Sequence, residues 1–231
     1  MGRKNKLQKF QDLKAYPNVI ENPEYESNQL FINDDVEIDL SENWAQIHFG
    51  NDKPVTLELA CGRGEYTLQL GRHFPEKNFI GIDVKGARIW KGATIALDEN
   101  LTNVAFLRSR IEKLGIYFRE GDISEIWITF PDPFLNPTES KHRLTSPHFL
   151  DIYKQILIPR GIINLKTDDD LLYEYTLKVV EADPGITLLY AENDIYSRPL
   201  IDLTLEFKTY YEGLHLAEGK KIKYVKFQLK D

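Results

Sequence analysis

From Val55 onward, short apolar strands alternate with amphipathic helices, and this order constrains the fold more than any other feature of the chain. "VTLELA" is a strand. "EYTLQLGRHF" carries Tyr66, Leu68, Leu70 and Phe74 at helical spacing, and Pro75 stops it. "NFIGID" is a second strand, "KGARIWKGATIALDEN" a second helix and "NVAFLR" a third strand. "EIWITF" is a fourth, ended by Pro131. "SPHFLDIYKQIL" is a helix with Ser146 as N-cap and Pro147 at its first position. "GIINLKT" is a fifth strand, "LLYEYTLKVVEA" a helix, and "ITLLYAE" and "KIKYVKFQL" are two further strands. In the last strand Ile222, Tyr224, Lys226 and Gln228 alternate with Lys223, Val225, Phe227 and Leu229, the pattern of a half-covered antiparallel strand. Such an order builds an α/β domain around a doubly wound, mostly parallel seven-stranded sheet with a C-terminal antiparallel strand. Residues 1–50 are polar and turn-rich, with "NPEYESN" as a loop. They are expected to form an N-terminal arm that packs on or flanks a domain of residues 51–231.

Ligands in such sheets sit beyond the carboxyl ends of the strands. The first of those loops is "ACGRGEYT". A dinucleotide fingerprint needs three glycines, G-x-G-x-x-G. Gly62 and Gly64 supply two, but Thr67 stands at the third position. Glu58 lies inside the first strand, where a carboxylate repels a pyrophosphate and suits a cofactor with positive charge. S-adenosylmethionine is such a cofactor, with a sulfonium, an α-ammonium and free ribose hydroxyls. Gly62 and Gly64 let the backbone approach it, and Asp83, at the end of the second strand, can accept from the ribose hydroxyls. Cys61 reads as a packing residue, since nothing nearby marks an activating base.

Two later loops carry acids. In "ITFPDPFLNPTESKHRLTSPHFL", Asp132 sits between two prolines that stiffen the exit of the fourth strand, and Phe134 offers a ring for stacking on a base. In "KTDDD", Asp168 falls at the carboxyl end of the fifth strand, while Asp169 and Asp170 begin the next helix. No histidine or second carboxylate cluster joins these aspartates, so no metal is expected.

Composition bounds the alternatives. At 42% hydrophobic and 28% charged residues the chain has the make-up of a soluble globular protein. A net charge of −7 argues against indiscriminate nucleic-acid binding. Basic residues at Arg3, Lys4, Lys6 and Lys9, and at Lys220, Lys221, Lys223 and Lys226, leave room for local patches. A single cysteine excludes an intrachain disulfide and a cysteine-rich zinc cluster. No run approaches the roughly 20 apolar residues of a membrane span. The N-terminus lacks the apolar core of a secretory signal and does not fit the myristoylation pattern. A cytoplasmic enzyme, without membrane contact, is expected.

Taken in order, "LELACGRGEYT", "FIGIDVKG", "FPDPF" with K-x-R-L-T, "LKTD" and "KTYYEGLHLAEGKKIKY" resemble the tRNA (guanine-N7-)-methyltransferase family. The resemblance runs from about Thr56 to the C-terminus. It implies a Rossmann-like class I methyltransferase fold and methyl transfer from S-adenosylmethionine to N7 of a guanosine in the tRNA variable loop. By position, Glu58 and Asp83 match the family's two cofactor-binding acids, alongside Gly62 and Gly64 of the turn. Asp132 matches the active-site acid of a P-D-P-W motif and is counted with the cofactor contacts as well. Asp168 matches the acid of a T-D motif on the substrate side, and Thr209, Tyr211 and Glu212 match T-x-Y-E, also on that side. Lys141 and Arg143 survive from a basic run expected to hold tRNA phosphates, together with Lys220 and Lys221. Asn136, Thr138 and Glu139 replace basic positions of that run, and Phe134 replaces its tryptophan; Asn136 is kept as a substrate contact. A third cofactor position, usually Asp or Asn, falls at Arg110, whose side chain accepts no hydrogen bond from an adenine amino group. The partner is tRNA, and the protein is a monomer or homodimer. Two rivals remain: a methyltransferase of an amine or amide substrate, and a tRNA- or cofactor-binding relative without turnover.

Overall fold

Ten strands form among the described residues where the sequence pattern gives seven, and the three additional ones lie in the N-terminal segment. The computed structural model describes residues 5–24, 26–40 and 43–230. Arg3 and Lys4 of the basic N-terminus and Tyr25 of the predicted loop lie outside them. The chain divides into two units between Arg119 and Glu120.

The first unit contains α1 (Lys6–Ala15), β1 (Val19–Glu21), β2 (Leu30–Ile32), β3 (Val36–Ile38), α2 (Trp44–Ile47), β4 (Val55–Leu59), α3 (Glu65–His73), β5 (Asn78–Asp83), α4 (Gly86–Asp98), β6 (Val104–Arg108) and α5 (Leu114–Tyr117). Its strand order is β3-β2-β1-β6-β5-β4. β4, β5 and β6 pair in parallel, and β1 joins β6 in parallel with Val19 opposite Phe106. β2 and β3 continue antiparallel. Three-residue strands are too short to display a period of two, so the N-terminal segment reads as an arm in the sequence. It is built into the unit: Asn18 Nδ2 donates to the Ala93 carbonyl at 3.1 Å and Trp90 Nε1 to Asp12 at 2.7 Å. Arg108 pairs with Glu21 at 2.7 Å.

β4 and β5 are buried at every position, as strands covered on both faces require. Beside them the Phe106 ring occupies space that three glycines leave free. A Cβ at Gly64, Gly81 or Gly92 would lie 2.4, 2.9 or 2.7 Å from that ring. Gly64 also has φ +67°, where a side chain is strained. Gly64→Ala is therefore expected to destabilise the protein by about 2–4 kcal/mol. Urea unfolding measures this, and a loss below about 1 kcal/mol would contradict the packing account.

The second unit contains β7 (Ile123–Thr129), α6 (Pro147–Lys154), β8 (Leu157–Thr167), α7 (Asp170–Ala182), β9 (Ile186–Glu192), α8 (Tyr210–Ala217) and β10 (Lys223–Leu229). Its strand order is β7-β8-β10-β9. β7 and β8 are parallel, and β10 runs antiparallel to both β8 and β9. Because β10 lies between two strands, five of its seven residues are buried and only Lys226 and Gln228 are half-buried. Its alternation therefore translates into less exposure than a half-covered strand would show. β8 begins at Leu157 rather than Gly161. Ser146 occupies the N-cap position of α6 as expected, yet its hydroxyl donates to the Lys141 carbonyl and makes no cap bond. Asp169 caps α7 by accepting from the Leu172 N–H at 2.7 Å. Among the described residues no helix is long and apolar enough to cross a membrane.

Candidate functional site

In the first unit the turn from β4 into α3 places three residues in the left-handed region, Ala60, Gly62 and Gly64, with φ of +55°, +58° and +67°. The turn is fixed by two acids. Asp83, at the end of β5 and 7% exposed, accepts from the Gly62 N–H at 2.9 Å and from the Lys85 N–H at 2.8 Å. A carboxylate offers about four acceptor sites, so capacity remains for a ligand. Glu58 is 2% exposed. It accepts from the Thr67 N–H at 2.8 Å and from the Thr67 hydroxyl. Thr67, which breaks the dinucleotide fingerprint, is thus the residue that holds Glu58. A Cβ built at Gly62 would meet nothing within 4 Å, so open space lies beside the turn. Burial, and then the charges of Glu58 and Asp83, push the Cys61 thiol well above its ordinary pKa. It stays neutral and is no nucleophile.

Beyond the ends of β5 and β6 lies a pocket of about 140 Å³ lined by Asn22, Pro23, Val84, Arg108, Ser109 and Arg110. Arg110 also lines a second pocket, with Glu26, Glu112 and Lys113. Arg110 is therefore at the pocket, in company the sequence did not supply: Asn22 and Pro23 come from the N-terminal segment.

In the second unit the loop after β7 carries backbone strain at both ends of Pro-Asp-Pro. Phe130 has φ +50° and Phe134 φ +46°, and bulky residues rarely adopt such values unless their surroundings force them. The Phe130 N–H bonds the Lys166 carbonyl at 2.8 Å. Arg143 donates to the Pro133 carbonyl at 3.0 Å and the Phe134 carbonyl at 2.8 Å, and its guanidinium lies 4.4 Å above the Tyr175 ring. Arg143 is only 4% exposed. This corrects the expectation that it holds tRNA phosphate: burial commits its donors to the loop. Asp132 is exposed between the clamped ends, and Phe134 packs 5.6 Å from His142. Asn136 caps a short 3₁₀ turn by accepting from the Thr138 N–H at 3.1 Å, and both it and Lys141 are exposed.

Asp168 lies at the end of β8, paired with Lys220 at 2.9 Å and 3.3 Å from His215 Nδ1. Lys220 is thereby tied to an acid, and Lys223 of the same basic cluster is 4% exposed and bonded to the Asp168 carbonyl. Thr209 caps α8, accepting from the Glu212 N–H at 3.1 Å. Tyr211 is exposed and meets Tyr210 edge to face at 5.8 Å.

Glu212 departs furthest from expectation. It is wholly buried, pairs with Lys166 at 2.9 Å and accepts from the Tyr196 hydroxyl at 2.7 Å. Lys166 is also wholly buried and donates to the Leu205 and Phe207 carbonyls. A carboxylate so enclosed does not meet a nucleobase edge, so its expected substrate contact is corrected to an internal tie. Burial pushes the Lys166 ammonium below its ordinary pKa, and Glu212 opposes that shift. Burial, with Glu212 beside it, raises the Tyr196 phenol. Sequence reasoning missed Lys166 and Tyr196. The signals were a lysine near the end of a largely apolar, buried strand, and the capping-box spacing of Thr209 and Glu212. Among the described residues no group of three or more His, Cys, Asp or Glu is placed to hold a metal.

The chain matches the family described as "Putative methyltransferase" over residues 52–225. A tRNA (guanine-N(7)-)-methyltransferase of Bacteroides thetaiotaomicron is 47% identical over 98% of this chain and 86% of its own length. The enzyme of that name from Christiangramia forsetii is 45% identical over the whole of both chains. Among solved structures, the 16S rRNA methyltransferase KamB superposes with a TM-score of 0.60 at 13% identity, over 85% of this chain and 97% of that one. A 30S ribosomal A1408 methyltransferase from an uncultured bacterium gives 0.56 at 18% identity, over 84% and 96%. At such identities the likeness concerns the fold, an α/β Rossmann-like arrangement with mostly parallel strands and antiparallel strands near the C-terminus.

Proposed function

The chain belongs to the tRNA (guanine-N7-)-methyltransferase family, and we propose that it transfers a methyl group from S-adenosylmethionine to N7 of a guanosine in the tRNA variable loop. The observation that carries the donor half of this reading is the pairing of Asp83 with the Gly62 N–H across the first turn. That contact sets an acid with spare acceptor capacity beside a backbone over which there is open space. The residues fit the group. Asp83 receives ribose hydroxyls, Gly62 lets the chain approach closely, and the charge of Glu58 favours a cationic ligand from beneath the turn. S-adenosylmethionine, when bound, supplies an electrophilic methyl on a sulfonium.

Guanine N7 has a lone pair and no proton, so the chain need supply no base to create the nucleophile. Its work is placement. Asp132, on a loop clamped by Arg143 and strained at both ends, holds the guanine's N1 and N2 hydrogens and offsets the positive charge the purine gains. Phe134 replaces the stacking that the base leaves. Asp168, Thr209, Tyr211 and Asn136 form the substrate side, and Lys141 and Lys221 meet phosphates. Glu212 acts through Lys166 by fixing α8. Residues 51–231 are the methyltransferase domain and residues 1–50 the segment that flanks it; the enzyme works in the cytoplasm as a monomer or homodimer.

The test uses purified protein, labelled S-adenosylmethionine and unmodified bulk tRNA, with nucleoside analysis of the product. The expected product is 7-methylguanosine, lost when the variable-loop guanosine is replaced. A methylated amine instead would turn the reading towards an amine-directed enzyme. Cofactor and tRNA binding without incorporation would identify a relative without turnover.

A further inference from the structure

Asp168 stands at the end of β8 with its backbone already fixed. Lys223 Nζ donates to its carbonyl at 3.0 Å, and the next residue, Asp169, caps α7. Its carboxylate is held at one oxygen. Lys220 Nζ donates to Oδ2 at 2.9 Å, and His215 Nδ1 lies 3.3 Å from that same atom. Among the described residues, no hydrogen bond reaches Oδ1.

A local backbone motif delivers the lysine. α8 ends at Ala217, and Gly219 follows at φ +75°. The Gly219 N–H bonds the Leu216 carbonyl at 3.0 Å, and the Lys220 N–H bonds the His215 carbonyl at 2.9 Å. These are the two bonds of a Schellman turn, which ends a helix by folding the chain back over its last turn. Lys220 is thereby returned to His215, and its ammonium lies 3.2 Å from the ring Nδ1. An ammonium only donates, so Nδ1 serves it as acceptor, which assigns the ring proton to Nε2. Glu218 is the other charged group here, 3.5 Å from Lys220 and 4.0 Å from His215 Nδ1. The His215 ring also meets Phe130, with centroids 5.8 Å apart. Phe130 is the strained residue that opens the Pro-Asp-Pro loop, two positions before Asp132.

We propose that Lys220, aimed by His215, is a positioning residue that locks Asp168 in one orientation, so that Oδ1 is the acceptor turned to the substrate nucleoside. This rests on the reading of Asp168 as a substrate-side acid. An untethered aspartate rotates and offers either oxygen. Tied at Oδ2, it offers one acceptor in one direction, which narrows the poses of a bound nucleoside, and catalysis by placement depends on that. Stability is not what the pair supplies: Lys220 is 44% exposed, and exposed ion pairs contribute little. Through Phe130, His215 braces the base of the Asp132 loop as well, so the two acids assigned to the substrate share one support.

The experiment measures methyl incorporation into unmodified bulk tRNA by the full chain, with urea unfolding alongside. Lys220→Met is expected to lower kcat/KM for tRNA by about tenfold with the unfolding midpoint unchanged. Lys220→Arg, which keeps charged donors at that place, should retain about half of wild-type kcat/KM or more. His215→Phe keeps a ring beside Phe130 and removes only the acceptor, and about a fivefold loss is expected. In an Asp168→Ala background, Lys220→Met should bring no further loss. A lysine that meets tRNA phosphate would instead lose the same factor in both backgrounds and weaken the salt dependence of binding, and that result would overturn the proposal. Wild-type kinetics in Lys220→Met or His215→Phe, beside an impaired Asp168→Ala, would overturn it too. If Asp168→Ala itself keeps wild-type kcat/KM, the substrate-side reading of Asp168 fails. If wild-type protein transfers no methyl group, the methyltransferase reading fails. Either of these last two results removes the proposal with the reading it rests on.

Discussion

Replacing Glu212 by alanine is expected to destabilise the protein by about 3–5 kcal/mol, because it strands a charged or reluctantly neutral Lys166 in a fully buried site. Only the Leu205 and Phe207 carbonyls would remain to Lys166 among the bonds described for its ammonium. The Tyr196 hydroxyl would lose its acceptor in the same step. In a chain of 231 residues that loss corresponds to a fall in melting temperature of roughly 10 °C. The decisive comparison is the double variant Lys166→Met with Glu212→Leu. Removing both charges at once avoids the stranded ion, so most of the stability should return. Chemical unfolding of the two single variants and the double measures the coupling. If Glu212→Ala unfolds within about 1 kcal/mol of wild type, the pair is not the tie described here. The functional corollary concerns α8. Thr209, Tyr210 and Tyr211 begin that helix, and Glu212 is the one residue of it that is buried. Loss of the tie should raise KM for tRNA, while binding of S-adenosylhomocysteine stays within about twofold.

Asp132→Asn is expected to lower kcat by about 10²- to 10³-fold, the range seen when one preorganised electrostatic group is lost. The substitution keeps shape and loop geometry, and it removes the charge proposed to offset the positive purine. Asp132→Glu should also fall by more than tenfold, since proline on both sides and clamped carbonyls leave the loop no freedom to absorb an added methylene. Methyl incorporation into tRNA at saturating donor reports both effects, and calorimetry with S-adenosylhomocysteine separates them from donor binding. An asparagine variant that turns over at more than half the wild-type rate would remove Asp132 from the chemistry.

The sequence and the tertiary structure divided the work unevenly. Alternating apolar strands and amphipathic helices determined the α/β class, because periodicity and capping operate within one turn or one strand. The glycine turn at Cys61–Gly64 and the acid at Asp83 were legible for the same reason: their spacing follows from one strand–helix–strand unit. The five ordered motifs identified the family. The three N-terminal strands were not legible, since each has three residues and they join the sheet through β1, whose partner β6 lies far along the chain. Roles were also assigned by contacts that no local pattern records. Thr67 reaches back nine residues to Glu58. Arg143 turns under the Pro-Asp-Pro loop instead of outward to solvent. Lys166 and Glu212 stand 46 residues apart. Whether a charged side chain faces a ligand or a buried partner depends on the register of strands and the burial around it. Only the folded chain decides that, because desolvation acts on the environment assembled around a residue rather than on its neighbours in sequence.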